Sequence, residues 1–403
     1  MLFGVLLAIA AGVLSGIFTG LIPGIHINLV SIMVISISAA LLDYANPVVI
    51  GVFIISMAIT HTFLDAIPSI YLGAPDEDTA LAVLPGHKLL LEGMGHEAVK
   101  LTVIGSLLCL LLSALLFPLF VVVFPAIYNS IKSHIGWILL GVVVFMILKE
   151  KKINSIFWSA IVFLFSGILG MAVLSMESLN QPLFPMLSGL FGLSILLFSL
   201  FHDVVLPKQR ITEMVDVKPN ETAKALFAGV FSGGLTSLFP GLGAAHAAII
   251  AGTFFRGIST ISYLILVGGI NTVNFFLSLI TLYTLGKARN GAVIAVLEII
   301  KTVNFQQLMV FIAASLMVGG IATFLALKIS RIFCFFVSRL NYRALCMSVV
   351  FIVTLLVFVF SGFLGLFVLA VSTSIGLIPS LAGVGKNNAM GCLLLPVILY
   401  FLL

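Results

Sequence analysis

Two stretches of this chain are nearly the same. Residues 12–24 read GVLSGIFTGLIPG and residues 229–241 read GVFSGGLTSLFPG. Eight of the thirteen positions are identical, and the copies lie 217 residues apart in a chain of 403. A half-length repeat that carries a Pro-Gly break inside apolar sequence predicts two related membrane halves, the plan on which secondary transporters are built.

Composition sets the solvent. The chain is 62% hydrophobic and 8% charged, with a mean hydropathy of +1.31, whereas a soluble domain carries roughly 25% charged residues. No aqueous fold covers that much apolar surface, so the expected class is an all-α polytopic membrane protein in contact with lipid. The net charge of +5 then concerns orientation and not nucleic acid. Cys109, Cys334, Cys346 and Cys392 match no metal or disulfide spacing and read as packing residues. The N-terminal segment lacks a basic residue before its apolar run, and its phrase recurs internally, so it reads as retained structure and not as a signal peptide.

Apolar segments fall near 2–22, 25–42, 47–64, 99–124, 135–148, 153–175 and 183–201, then near 225–239, 244–255, 258–283, 305–327, 345–376 and 388–403. A hydrocarbon core needs about 20 helical residues, so the shorter segments are tilted, broken or re-entrant and the total is about 10–13 spans. Residues 1–202 and 225–403 read as two homologous repeats joined by a charged linker, 203–224. Further anchors support this: His61-Thr62 with Asn271-Thr272, Leu72-Gly73 with Leu285-Gly286, SGILG at 166–170 with SGFLG at 361–365, and Pro185-x-Leu187-x-Gly189 with Pro379-x-Leu381-x-Gly383. Loop 149–152 and the linker are basic and the loop between them, 176–182, has no Lys or Arg, which places the first two in the cytoplasm.

The candidate chemistry begins at the breaks. A helix restarting after Pro23-Gly24 or Pro240-Gly241 would point free N–H groups at a cavity and suit an anion; the alternative is a simple turn between spans. His26 and Asn28 follow the first break, and Gly243 and His246 the second. Asp65 is the sharpest single residue. With His61 it forms an i, i+4 pair on one helix face, a candidate site for Na+ or a proton; the alternative is a helix end before Pro68. Asn271 and Asn274 stand in the corresponding part of the second half. Residues 66–98 read as a re-entrant hairpin with its tip near Gly73, Pro75 and Thr79, followed by a surface helix. Asp76, Glu77 and Asp78 at that tip would bind a cation or form a solvated turn.

Enzyme signatures are missing. His96-Glu97 does not complete HExxH, and there is no Walker A sequence, no GxGxxG in a strand context and no Cys/His zinc cluster. The expectation is a protein that is not an enzyme and needs no cofactor beyond a coupling ion.

These residues resemble the TctA family, the large membrane subunits of tripartite tricarboxylate transporters. The likeness is carried by the Pro-Gly opening, by PSIYLGAP from Pro68 with the PGHK and GMGHEA that follow, and by LTSLFPGLG in the second half. It covers Pro23, Gly24, Pro68, Gly73, Pro75, Thr79, Ala80, Gly86, Gly95, Ala98, Pro240, Gly241 and Gly243. The resemblance implies ion-driven uptake of carboxylates such as citrate, together with a small membrane subunit and an extracytoplasmic solute-binding protein on separate chains. His26 and the acidic tip at 76–78 depart from the family pattern and mark a divergent, archaeal-looking branch. The expected function is therefore a secondary-active permease of the cell membrane for an anionic solute. Pro23, Gly24, His26, Asn28, Gly73, Pro75, Thr79, Pro240, Gly241, Gly243, His246, Asn271 and Asn274 would hold the substrate, and His61 with Asp65 the coupling ion. A flippase for a lipid-linked phosphate is the alternative, with a non-transporting membrane protein as a third class; a homo-oligomer stays open.

Overall fold

The structure is a computed structural model that describes residues 2–22, 42, 45–73, 79, 81, 83–150, 152–200, 207–212, 215, 217–238, 244–255, 259–288, 290–337 and 342–403. The described residues are helical, with no strand. Seven helices are long and apolar enough to cross a membrane, and a bent pair makes an eighth. Pro23, Gly24, His26, Asn28, Pro75, Pro240, Gly241 and Gly243 lie outside the described residues.

The first half opens with α1 (Leu2–Leu21) and α2 (Pro47–Leu72). Asn46 caps α2 by accepting from the Val48 N–H at 2.9 Å, with Pro47 in the first turn, where its missing N–H costs nothing. Its last residue is followed by Gly73 in the left-handed region, φ 61°. The second half repeats this. α10 (Pro219–Ser237) packs on α12 (Thr260–Leu285), which Ser259 caps and Gly286, φ 63°, ends.

The two pairs share one packing register. Gly16 sits so close to α2 that a Cβ there would lie 2.6 Å from the Met57 carbonyl and 2.5 Å from Thr60 Cβ. Gly233 meets the Ile270 carbonyl and Val273 in the same way. Gly12, Gly16 and Gly20 form a stripe of small residues along α1, which lets two backbones approach in a membrane where the hydrophobic effect between helices is weak.

This register corrects the alignment of the repeats. The glycine contacts, the helix caps and the Leu72-Gly73/Leu285-Gly286 ends all set α2 against α12 at one offset of 213, which pairs His61 with Asn274 and not with Asn271. The local identity of His61-Thr62 with Asn271-Thr272 is one helical turn out of phase.

Between these pairs run α3 (Val83–Leu91), α4 (Gly95–Leu115), α5 (Phe117–Ile131), α6 (Ile135–Leu148) and α7 (Ile153–Leu174). The predicted span 99–124 is two helices, because Pro118 starts α5 in its first turn. α5 and α6 meet at a bend of 80°. α3 is not a surface helix: it folds back on the end of α2, with Gly86 against Ile70, and leaves Lys88 outward. α8 (Leu183–Leu187) runs through a π turn, Ser188–Leu193, into α9 (Ser194–Leu200). After α11 (Ala244–Phe254) and α12 come α13 (Gly291–Ile300), α14 (Phe305–Val337), and α15 (Tyr342–Ala382), which kinks at Gly362 with φ 64° and ψ −160°. A 3-10 turn, Lys386–Met390, leads into α16 (Gly391–Leu402).

The C-terminal parts of the two halves exchange partners. Gly391 at the head of α16 packs on Phe163 and Ser166 of α7, and Gly189 in the π turn packs on Leu369 and Ser372 of α15. Gly170 lies against the Cys392 carbonyl as Gly376 lies against the Leu190 carbonyl. SGILG at 166–170 therefore corresponds to STSIG at 372–376, and Gly189 to Gly391; the anchors at 361–365 and 379–383 are chance likenesses.

The helices gather into two packed bodies, each drawn from both halves. One contains α1–α5 and α10–α14; the other contains α6–α9, α15, the 3-10 turn and α16. Between them the described residues touch where α11 meets α6, where the end of α2 meets α15, and where α3 meets the π turn. The 80° bend at residues 132–134 is one of the places where the chain passes from one body to the other.

Candidate functional site

α2 and α12 are the most enclosed spans, and they carry the polar residues. Polar groups at that depth face the bundle interior because lipid offers them no partner. Asp65 sits inside a 26-residue span and not at its end: its N–H bonds to the His61 carbonyl at 3.0 Å and the helix continues to Leu72.

Six candidate or neighbouring residues come close together here. Asn271 Nδ2 of α12 donates to Asp65 Oδ2 at 2.6 Å, a short bond. His61 Nε2 lies 3.9 Å from the same oxygen. His61 Nδ1 is 3.1 Å from Thr19 Oγ1 of α1. Thr62 Oγ1 is 3.2 Å from Thr272 Oγ1, which bridges α2 and α12 directly. All of these residues are buried. A buried carboxylate with an amide donor and hydroxyls nearby suits a hard cation, and a carboxylate beside an imidazole suits a proton.

Asn274 is held apart from this cluster. Its Oδ1 accepts from Thr236 Oγ1 at 3.5 Å, and this contact is the counterpart of Thr19 with His61. The repeated phrase thus supplies one threonine to each central helix, and the first half adds the ionisable groups. Thr19, Thr62 and Thr272 were not singled out as site residues in the sequence; Thr19 and Thr236 are identical positions of the repeated phrase, which is the signal that points to them.

Other candidates lie toward the seam between the bodies. Gly73 abuts Leu196 of α9, and Thr79 bonds to Ser69 at 2.6 Å. Ser69 Oγ donates to the Asp65 carbonyl at 2.8 Å, so one short path runs from the Asp65 backbone through Ser69 to Thr79. His246 of α11 reaches the backbone of Leu393 on α16, in the other body. His87 of α3 is buried, which pushes its pKa down to about 4, with the charge of Lys386 adding to the effect. A cavity of about 920 Å³ opens along the same seam, lined by Phe145 and Lys149 from one body, Ala248, Phe255 and Tyr263 from the other, and Asn387.

The His96-Glu97 pair is structural. His96 Nδ1 lies 3.0 Å from Ser330 Oγ, and Glu97 accepts from Thr212 at 2.7 Å with Arg210 at 3.4 Å. Gln209 receives the Gly95 N–H and donates to the Leu90 carbonyl. The linker is thereby strapped across the turn between α3 and α4.

A family described as tripartite tricarboxylate transporter TctA matches residues 6–391. The chain belongs to the TctA family. It is a multi-pass membrane protein of a transporter family whose members work within tripartite assemblies. A relative from Methanocaldococcus jannaschii, uncharacterized protein MJ1079, is 30% identical over 359 residues, covering 87% of this chain and 88% of its own length. The archaeal source of that relative is consistent with an archaeal branch of the family. No solved structure matches the chain.

Proposed function

We propose that this TctA protein is a secondary-active permease of the cell membrane that takes up a small carboxylate-type anion, driven by a Na+ or proton gradient. The observation that carries the reading is the buried Asp65–Asn271 bond at the crossing of the two central spans, with His61 beside it. An ionisable group at such depth is costly to keep and is the usual mark of an ion path. Asp65 and His61 hold the coupling ion, with Asn271 fixing the carboxylate.

The repeats, residues 1–202 and 225–403 around the linker, supply the inverted or parallel symmetry on which alternating access depends. The moving units in this reading are the two mixed bodies and not the two sequence halves, because α7 and α16, like α15 and α9, are interlocked across the halves. In this reading substrate enters at the seam, near Gly73 and His246, and Thr79 and the Pro-Gly breaks with His26, Asn28 and Gly243 would contact it. A small membrane subunit and an extracytoplasmic binding protein deliver the solute.

The test is uptake of labelled citrate, succinate and related di- and tricarboxylates into proteoliposomes under an imposed Na+ or proton gradient, with and without the partner subunits. Gradient-dependent accumulation of one such anion is expected. Absence of flux for the whole panel, with movement of a lipid-linked phosphate instead, would replace the permease by a flippase.

A further inference from the structure

Lys386 is a buried lysine in the 3-10 turn before α16, and it is 7% exposed. Its Nζ donates to Ser194 Oγ of α9 at 2.8 Å. Ser194 in turn donates to the Leu190 carbonyl at 2.7 Å, so its hydroxyl presents a lone pair to the lysine. An ammonium has three donors, and among the described residues no carboxylate lies within ion-pair distance of it. Glu150, on the adjoining loop, faces the Gly385 N–H at 3.5 Å. Burial pushes the Lys386 pKa down to about 7, so the amine is poised to hold its proton when an ion of the opposite sign arrives beside it.

The surroundings point the same way. Lys386 stands on the face of its body that meets His87 of α3, close enough that the two interact electrostatically. The next residue, Asn387, lines the seam cavity of about 920 Å³, whose rim carries a second cation, Lys149. That volume falls in the range of small-molecule sites, roughly 300–1,000 Å³. The turn itself is anchored: Asn388 Nδ2 donates to Ser159 Oγ at 3.0 Å and to the Gly385 carbonyl at 2.9 Å.

We propose that Lys386 is the cationic contact for a carboxylate of the transported anion, held with Ser194 at the seam between the two bodies. The proposal rests on the permease reading for its ligand class, but it concerns binding and not coupling.

The experiment is equilibrium binding to the purified full-length protein in detergent, with citrate, succinate and inorganic phosphate as probes and wild type, Lys386→Arg and Lys386→Gln as samples. Citrate binding is expected to weaken at least ten-fold in Lys386→Gln and to recover in part in Lys386→Arg. In the wild type, citrate is expected to protect Lys386 from acetylation, read by mass spectrometry, which does not depend on how a variant folds. Equal citrate affinity in wild type and Lys386→Gln would overturn the role of Lys386 and leave the permease reading in place. Wild-type binding of phosphate but not of either carboxylate would overturn the ligand class, as would binding of none of the three. A carbodiimide cross-link from Lys386 to Asp76, Glu77 or Asp78 in the substrate-free protein would also overturn it, by showing an internal partner.

Discussion

Asn271 reaches across 206 positions of sequence to donate a 2.6 Å hydrogen bond to Asp65 Oδ2. The bond ties α12 to α2 at the one point where an acidic side chain stands inside a central span. Removing a donor from a buried carboxylate leaves it short of a partner, a loss worth about 1–3 kcal/mol. Asn271→Ala is expected to shift the ion dependence of uptake about ten-fold or more, toward tighter binding of the coupling ion by the partner-poor carboxylate, while leaving citrate exchange measurable. The check is the ion dependence of uptake in proteoliposomes.

Close approach of α1 to α2, and of α10 to α12, depends on glycine. A side chain at Gly16 would drive into Met57 and Thr60, and one at Gly233 into Val273, at a cost of about 1–3 kcal/mol each for overpacking. Gly16→Val and Gly233→Val are both expected to lower the melting temperature in detergent. Gly320→Ala, where nothing lies within 4 Å of the added atom, is the control and should be neutral.

If the two mixed bodies move against each other, a bridge across the seam stops transport and a bridge within a body does not. In a background free of the four native cysteines, Phe145→Cys with Ala248→Cys spans the cavity, and Phe227→Cys with Phe255→Cys lies within one body, where the rings stand 6.1 Å apart. A bis-maleimide is expected to block uptake in the first pair only. Uptake that survives the seam cross-link would assign the motion elsewhere.

His87 gives a dependence on pH. Burial holds its folded pKa near 4, below the ordinary 6.5, so the unfolded chain takes up the proton first as pH falls. The stability this neutral ring contributes is present above about pH 6.5 and is lost between about 6.5 and 4. His87→Gln is expected to flatten that fall, measured as melting temperature from pH 7.5 to 4.5, and to leave the neutral end of the curve unchanged.

Much of this was legible in the chain because a membrane filters sequence. His61 and Asp65 stood out as polar residues in a hydrocarbon run, and the phrase holding Thr19 and Thr236 marked the two helices that deliver a threonine to each central span. The true pairing of His61 with Asn274 was hidden, because the match of His61-Thr62 to Asn271-Thr272 is better by identity and only backbone packing shows the one-turn offset. The exchange of α7 and α15 between halves was hidden too, since contacts between distant segments leave no local pattern. Lys386 went unnoticed in a short Gly/Asn-rich stretch that reads as a loop; its signal was a lone lysine between two long apolar runs.

The central claim is that the carboxylate of Asp65 couples ion movement to solute uptake. The direct measurement is citrate accumulation into proteoliposomes holding wild type or Asp65→Asn, under an imposed Na+ or proton gradient, beside citrate counterflow with no gradient. The account predicts that Asp65→Asn loses gradient-driven accumulation at least ten-fold and still exchanges citrate. Accumulation equal to wild type, with the same dependence on the ion, would contradict it.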